Sequence, residues 1–364
     1  MRERIVNAST GFGVYVHIPF CRHRCDYCAF ATFTDRDHVM VEYLRALQQD
    51  IARAIDAGLP TATSIFVGGG TPTRVPPELL MGVVTSIPVT ADAEITVECN
   101  PDDCSDSLMA AYRSGGVNRV SIGVQSLQPH VLLALGRTHD PDNVVRAVTA
   151  ARSEGIDSVN LDVIYGVHGE TRADWERTVE GVVALEPSHV SAYGLTVEAG
   201  TPLADDPSRH PDDDLQADMY ESVDRLLSRA GLVNYEISNW ARPGRECRHN
   251  LLYWCQGDYR GFGSAAHSHE GGRRWWNVRT PERYIDLVRS GVGAESAHED
   301  LDPETRRREG LQLALRMADG VPEEAFDPGD RADLAHLLEE TDGRRLRLNR
   351  NGRLLANEIA LRLR

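Results

Sequence analysis

Short β-rich runs recur along the first two-thirds of the chain, separated by amphipathic stretches. The runs predict strands at 13–17, 64–67, 94–98, 119–124, 158–164 and 189–193. The stretches between them predict helices at 41–57, 107–114, 143–154 and 172–184, whose apolar residues return at helical spacing. Six strand–helix units joined by long crossovers describe an α/β fold with a parallel sheet and outer helices. Strand order cannot be read from the pattern, and a partial (β/α) barrel and a doubly wound sheet both fit. In either fold, function belongs at the carboxyl ends of the strands.

The residues at those ends bear this out. Cys21, Cys25 and Cys28 follow the first strand, and Gly68, Gly69 and Gly70 follow the second. Glu98 and Asn100 end the third, Gln125 the fourth, Asp162 the fifth and Tyr193 the sixth. Chance would scatter such features over both ends.

Beyond a polar break at 204–214, the pattern predicts a helix at 215–230 and a last strand at 234–239. The character then changes. Residues 245–278 are rich in glycine, histidine and aromatic side chains. Residues 302–364 read as short helices with a basic hairpin at 344–353, for which Asn351 and Gly352 supply the turn signal. The division expected is a first unit at 1–240 and a smaller, mainly helical and winged unit at 241–364.

Composition narrows the chemistry. The 364 residues carry 39 basic and 55 acidic side chains, a net charge of −16, and every basic residue is arginine. Without lysine there is neither a Schiff-base nucleophile nor a GxxxxGK[ST] phosphate loop. The acidic balance argues against nucleic acid as a partner. No run of 18 apolar residues predicts a membrane span, and no signal peptide is evident.

Seven cysteines is an odd count, and three of them form C-x3-C-x2-C at Cys21, Cys25 and Cys28. Thiolates at this spacing point to a soft metal or a cluster rather than to disulfides. Three thiolates on a [4Fe–4S] cluster leave one iron without a protein ligand. A closed zinc site would need His23 or His17 as a fourth donor.

The run Y-x-H-I-P-F-C-x3-C-x-Y-C from Tyr15 to Cys28 resembles the radical S-adenosylmethionine (SAM) superfamily, and within it the oxygen-independent coproporphyrinogen III oxidase branch. The resemblance implies a partial (β/α)6 barrel, a [4Fe–4S] cluster on Cys21, Cys25 and Cys28, and SAM chelating the open iron. It carries SAM contacts onto Tyr15, Gly69, Gly70, Thr71, Glu98, Gln125, Arg137, Asp162 and, through its backbone, Gly194. A guanidinium at Arg137 suits a carboxylate, and Asp162 and Gln125 suit ribose hydroxyls.

An H-N-x-x-Y-W motif, His249 to Trp254, resembles the haem-binding signature of the haem chaperones in this branch. It implies haem contacts at His249, Tyr253 and Trp254, with His249 as axial ligand. Arg245, Arg248 or Arg260 could pair with propionates. Two departures separate the chain from the decarboxylating oxidase. Phe30 stands where the oxidase has a fourth cysteine, and only 20 residues precede Cys21, too few for the oxidase's substrate lid. The expected function is therefore transfer of haem to acceptor proteins, membrane-bound ones included, by a cytoplasmic protein that touches the membrane only peripherally. The alternative is coproporphyrinogen III oxidation. Cys99, Cys104, Cys247 and Cys255 receive no role.

Overall fold

The computed structural model describes residues 11–341 and 343–363. Six strands, β1 (Phe12–Ile18), β2 (Ala62–Gly69), β3 (Val89–Cys99), β4 (Arg119–Gln125), β5 (Ser158–Tyr165) and β6 (His189–Gly194), pair in parallel and in chain order. A doubly wound sheet reverses its order at a switch point. This sheet does not reverse, so all five crossovers run the same way along it.

Helices α1 (Met40–Asp56), α2 (Pro77–Val84), α3 (Asp106–Ser114), α4 (Pro129–Ala134), α5 (Asp142–Ser153), α6 (Arg172–Ala184) and α7 (Asp213–Arg229) fill the connections. The strands alternate strictly. Val14, Val16, Ile65, Val67, Val97, Val120, Ile122, Val159, Leu161 and Val190 belong to the large core packed with the helices. Tyr15, Ser64, Glu94, Glu98, Arg119, Ser121, Asn160, Asp162, His189 and Ser191 occupy the alternate positions, so the opposite face is polar. Strand caps and helix caps agree with the local sequence. Thr171 and Asp174 form a capping box at α6, and Asp212 and Ser105 cap α7 and α3.

The polar face satisfies itself through side chains. Asn160 Nδ2 donates to Ser121 Oγ at 2.7 Å and to Ser191 Oγ at 2.9 Å, and its Oδ1 meets His189 Nδ1 at 2.6 Å. His189 Nε2 pairs with Tyr235 Oη at 2.8 Å. Helix α8 (Arg248–Trp254) then closes over this face. Glu94 accepts the backbone N–H of Arg248 and of His249, both at 3.1 Å, placing a carboxylate at the helix start.

Three expectations differ from the structure. The strand expected at 234–239 is a hairpin of β7 (Val233–Glu236) and β8 (Asn239–Ala241), with β8 antiparallel to β6. The turn forms because Glu236 accepts the N–H of Ser238 at 3.2 Å and Asn234 donates to the Glu236 carbonyl at 2.6 Å.

Second, the segment at 241–364, expected to be a smaller and mainly helical unit, contributes strands that belong to the main sheet. Strands β9 (Asp258–Phe262), β10 (His267–Glu270), β11 (Arg273–Asn277) and β12 (Glu295–Asp300) extend the main sheet. Strand β9 is parallel to β1 and the other three follow antiparallel, giving a mixed sheet of 12 strands. A separate core begins only near Leu311. There α10 (Pro303–Ala314), α11 (Pro328–Leu334), α12 (Arg350–Leu354) and α13 (Ala356–Arg362) surround a three-stranded sheet of β13 (Val321–Pro322), β14 (Leu338–Thr341) and β15 (Arg345–Leu348).

Third, Asn351 and Gly352 lie inside α12, because Asn349 caps that helix by accepting the Gly352 N–H at 3.0 Å. The hairpin is β14–β15, and its turn uses left-handed Gly343 and Arg344.

Helices α6 and α7 are locked by Trp175, which is fully buried and donates its indole N–H to the Met219 carbonyl at 2.9 Å. Trp175→Ala should cost about 3–5 kcal/mol of stability in urea unfolding through the cavity it leaves. A loss below about 1 kcal/mol would mean that this packing does not hold the helices.

Candidate functional site

The parallel strands end on one rim. A cavity of about 690 Å³ opens there, lined by Cys21, Cys25, Cys28, Gly69, Gly70 and Thr71 on one side. Glu98, Gln125, Arg137, Asp162 and Gly194 line it on the other. Of the residues the sequence assigns to the cluster and to SAM, all but Tyr15 face this cavity.

Local hydrogen bonds fix the cysteine loop. Cys21 N–H donates to the Phe33 carbonyl at 3.0 Å, and Phe33 N–H returns to Pro19 at 2.8 Å. Further along, Arg209 clamps Asp26 at 2.8 Å, and Asp26 N–H reaches the Leu135 carbonyl at 3.3 Å. Thr71 Oγ1 donates to Cys21 Sγ at 3.6 Å, and Arg137 Nη1 donates to Cys25 Sγ at 3.7 Å. Burial raises the pKa of Cys21 and of Cys28, while the Thr71 hydroxyl partly offsets it at Cys21. The three sulfurs are near enough to perturb one another, yet no group of three or more histidine, cysteine or acidic side chains among the described residues is arranged around a single ion. A cubane engages each sulfur at a different iron, so it needs the sulfurs spread rather than converged. His17 is a poor fourth donor, because its ring nitrogens meet Tyr15 Oη and the Ala31 carbonyl, both at 3.0 Å.

The glycine run is a cradle with no room to spare. A Cβ on Gly70 would lie 2.7 Å from the Phe20 carbonyl and 3.0 Å from Cys21 Sγ, and one on Gly68 would lie 2.8 Å from a Glu98 oxygen. Gly69 has φ +110° and donates its N–H to Glu98 Oε2 at 3.1 Å. Opposite it, Gln125 adopts φ 60° where β4 ends, a left-handed conformation that costs a non-glycine residue about 1–2 kcal/mol. Backbone strain at a cavity wall is a mark of a functional position. Asp162 accepts from Ser121 Oγ at 2.7 Å and from Asn160 Nδ2 at 2.8 Å, and burial still raises its pKa. The sequence reading missed His139, two residues after Arg137. It lines the same cavity, and burial and then Arg137 lower its pKa to about 4.

A second cavity, of about 560 Å³, lies on the far side of the cysteine loop, and Ala29 and Phe30 line both. Tyr15 faces this one, with His17, Tyr253, Tyr259, His267 and His269. Of the H-N-x-x-Y-W residues only Tyr253 reaches it. Trp254 lies outside the lining of either cavity, under the Arg316 guanidinium at 5.9 Å. His249 is 1% exposed. Its Nδ1 meets Ser64 Oγ at 2.9 Å and its Nε2 meets Tyr253 Oη at 2.8 Å, so both nitrogens are engaged. Burial lowers its pKa to about 3. Arg248 and Arg260 are held by Asp92 and Glu270, and the cavity's arginines are instead Arg274 and Arg279.

A sequence model described as the radical SAM superfamily matches residues 15–182. The chain is 40% identical to the haem chaperone HemW of Mycobacterium tuberculosis, over 96% of this chain and 93% of that protein. It is 35% identical to HemW of Bacillus subtilis, over 95% and 97%. It is similar in fold to the Escherichia coli coproporphyrinogen III oxidase HemN, a radical SAM enzyme, with a TM-score of 0.84 at 24% identity over 97% of this chain and 89% of that one.

Glu98 is held neutral by burial first and by Asp162 second, with its pKa raised from 4.5 to about 7. The folded chain therefore keeps a proton that an unfolded glutamate gives up. The stabilisation is full below pH 4.5 and is lost as pH rises through 7. Glu98→Gln should match wild type at pH 4 and exceed it at pH 8, by on the order of 1–3 kcal/mol in paired urea melts. Equal stability at pH 8 would contradict a Glu98 whose pKa burial raises.

Proposed function

The chain belongs to the HemW family of the radical SAM superfamily, and from this premise we propose that it binds haem and hands it to haem-dependent acceptor proteins while carrying a [4Fe–4S] cluster with SAM. The observation that carries the reading is the pairing of two cavities on one loop. The cysteine-lined cavity fits a cluster and SAM, and the aromatic cavity beside it fits a flat apolar cargo.

The donor set suits the cluster and its ligand. Cys21, Cys25 and Cys28 would hold three irons and leave the fourth for SAM. Gly69, Gly70 and Thr71 offer backbone to the methionyl part, Arg137 suits its carboxylate, and Gln125 and Asp162 suit the ribose hydroxyls. Gly194 borders the same space, where its backbone would meet the adenine. Tyr15 stands between the cavities. It lines the second, while burial and then Glu98 beside the first raise its pKa. When bound, the cluster would supply one-electron chemistry toward SAM. The protein's own part is to orient the bound groups and exclude water.

In this reading the partial (β/α)6 barrel is built by residues up to 240, and the segment after it, which extends the same sheet through β9–β12 before the small core near Leu311, carries the H-N-x-x-Y-W motif. That segment acts on the cargo through Tyr253, which His249 holds in place, while Trp254 packs under Arg316. The acceptors are proteins, membrane-bound ones included, met from the cytoplasmic side. No helix among the described residues is long and apolar enough to cross a membrane. Phe30, 66% exposed, occupies the place of the oxidase's fourth cysteine and favours the chaperone over coproporphyrinogen oxidation.

Two assays test this. Anaerobically reconstituted protein given SAM, a reductant and coproporphyrinogen III should form no protoporphyrinogen, while haem should bind with a Soret shift that saturates at one equivalent. Product in catalytic excess would overturn the chaperone reading in favour of the oxidase. In Cys21→Ala, Cys25→Ala or Cys28→Ala, retained iron should fall roughly tenfold or more, and full iron in any one would remove that cysteine from the cluster.

A further inference from the structure

Strands β1, β9, β10 and β11 share one sheet, and their alternation brings a set of rings to one face. Tyr15 and His17 come from β1, Tyr259 from β9, His267 and His269 from β10, and Arg274 from β11. All six line the second cavity. The registers place His269 beside both Tyr259 and Arg274, and His267 beside Trp276. Tyr253 reaches the same space from α8, and Tyr253 and Tyr259 meet edge-on at 4.6 Å between centroids. Leu301 and Leu313 add apolar wall.

The ring nitrogens of this face fall into two groups. Those of His17 meet Tyr15 and a carbonyl, and those of His249, behind Tyr253, are both engaged. His267 and His269 are different. His267 is exposed, stacks on Trp276 at 5.6 Å, and makes no hydrogen bond among the described residues. His269 is 4% exposed and meets the Gly257 carbonyl through Nδ1 at 2.9 Å. Its Nε2 is buried with no partner. A carbonyl on Nδ1 fixes the proton there and leaves Nε2 with a bare lone pair, which is the arrangement behind histidines that bind metals. A buried nitrogen without a partner is costly, and it points to a group that the cavity takes up.

We propose that the second cavity is the haem seat and that His267, not His249, is the accessible axial ligand to the iron, with His269 behind it on the same strand face. This rests on the haem-chaperone reading and names the ligand within it. The cavity's volume falls within the range of cofactor pockets. Its charges suit an anionic edge. Arg274 is shared between Glu299 and Glu309, whereas Arg279 makes no ion pair among the described residues and stands ready for a propionate. An exposed ligand also suits cargo that must leave, since the iron–imidazole bond can be exchanged for one on the acceptor without dismantling the core. His249 could do this only by breaking its bonds to Ser64 and Tyr253.

The test is a haem titration of the full chain with reconstituted cluster, read by Soret absorbance and by the spin state of ferric haem in electron paramagnetic resonance. His267→Gly should lose the histidine-ligated signature and bind haem about tenfold or more weakly, and free imidazole should restore the signature by filling the vacated place. Cluster iron content and far-ultraviolet circular dichroism check that the variant is folded. A His267→Gly spectrum identical to wild type, or a signature lost in His249→Gln and kept in His267→Gly, overturns the assignment and leaves the chaperone reading intact. Wild type that binds no haem at all defeats the chaperone reading itself. Arg279→Glu should weaken haem several-fold with the signature unchanged, and undiminished affinity would remove Arg279 from the seat.

Discussion

Parallel pairing of six strands in chain order is the constraint from which the rest follows. Each crossover returns the chain to the same end of the sheet, so every carboxyl end opens on one rim and every loop after a strand meets its neighbours there. Thiols from the first loop, glycines from the second, a carboxylate from the third and polar side chains from the next three become neighbours although more than 170 residues separate Cys21 from Gly194. Strict alternation along the strands does the second half of the work. It hands the apolar positions to the outer helices and leaves a polar face that has to satisfy its own hydrogen bonds.

That polar face explains the placement of the segment after residue 246. A bare row of Ser64, Glu94, Arg119, Asn160 and His189 would be costly to bury without partners. Helix α8 supplies some of them, offering two backbone N–H groups to Glu94 and the His249 ring to Ser64. The H-N-x-x-Y-W segment is thus partly a stopper for the sheet's interior. His249 stabilises the fold and orients Tyr253 as a wall of the aromatic cavity. The cysteine loop forms the partition between that cavity and the first, with Phe30 at its edge, so a group in one cavity is a near neighbour of a group in the other.

Much of this was legible because it is local or periodic. Six strands and five helices emerged from hydrophobic spacing alone, and α6 coincides end to end with its expected range. The rim residues were found because the carboxyl-end rule needs strand positions and not strand order. What stayed hidden depends on distant pairing. Helix α2 is only eight residues long and begins at a proline pair, so periodicity had little to work on. Strands β9 to β12 are short and mixed in character, and only their pairing with β1 makes them part of the main sheet. The motif around His249 was visible, but its burial was not, since Ser64 lies 185 residues away in the chain. Asn351 and Gly352 look like a turn in isolation and become helix because Asn349 caps them.

The account's central claim is that the rim cavity holds an iron cube on three cysteines with one iron left for SAM. Electron paramagnetic resonance of the dithionite-reduced, anaerobically reconstituted chain, recorded with and without SAM, tests it most directly. The account predicts a reduced four-iron signal whose g values move when SAM is added, in wild type and not in a variant lacking Arg137. A four-iron signal indifferent to SAM, or a folded protein that takes zinc in place of iron, would contradict it.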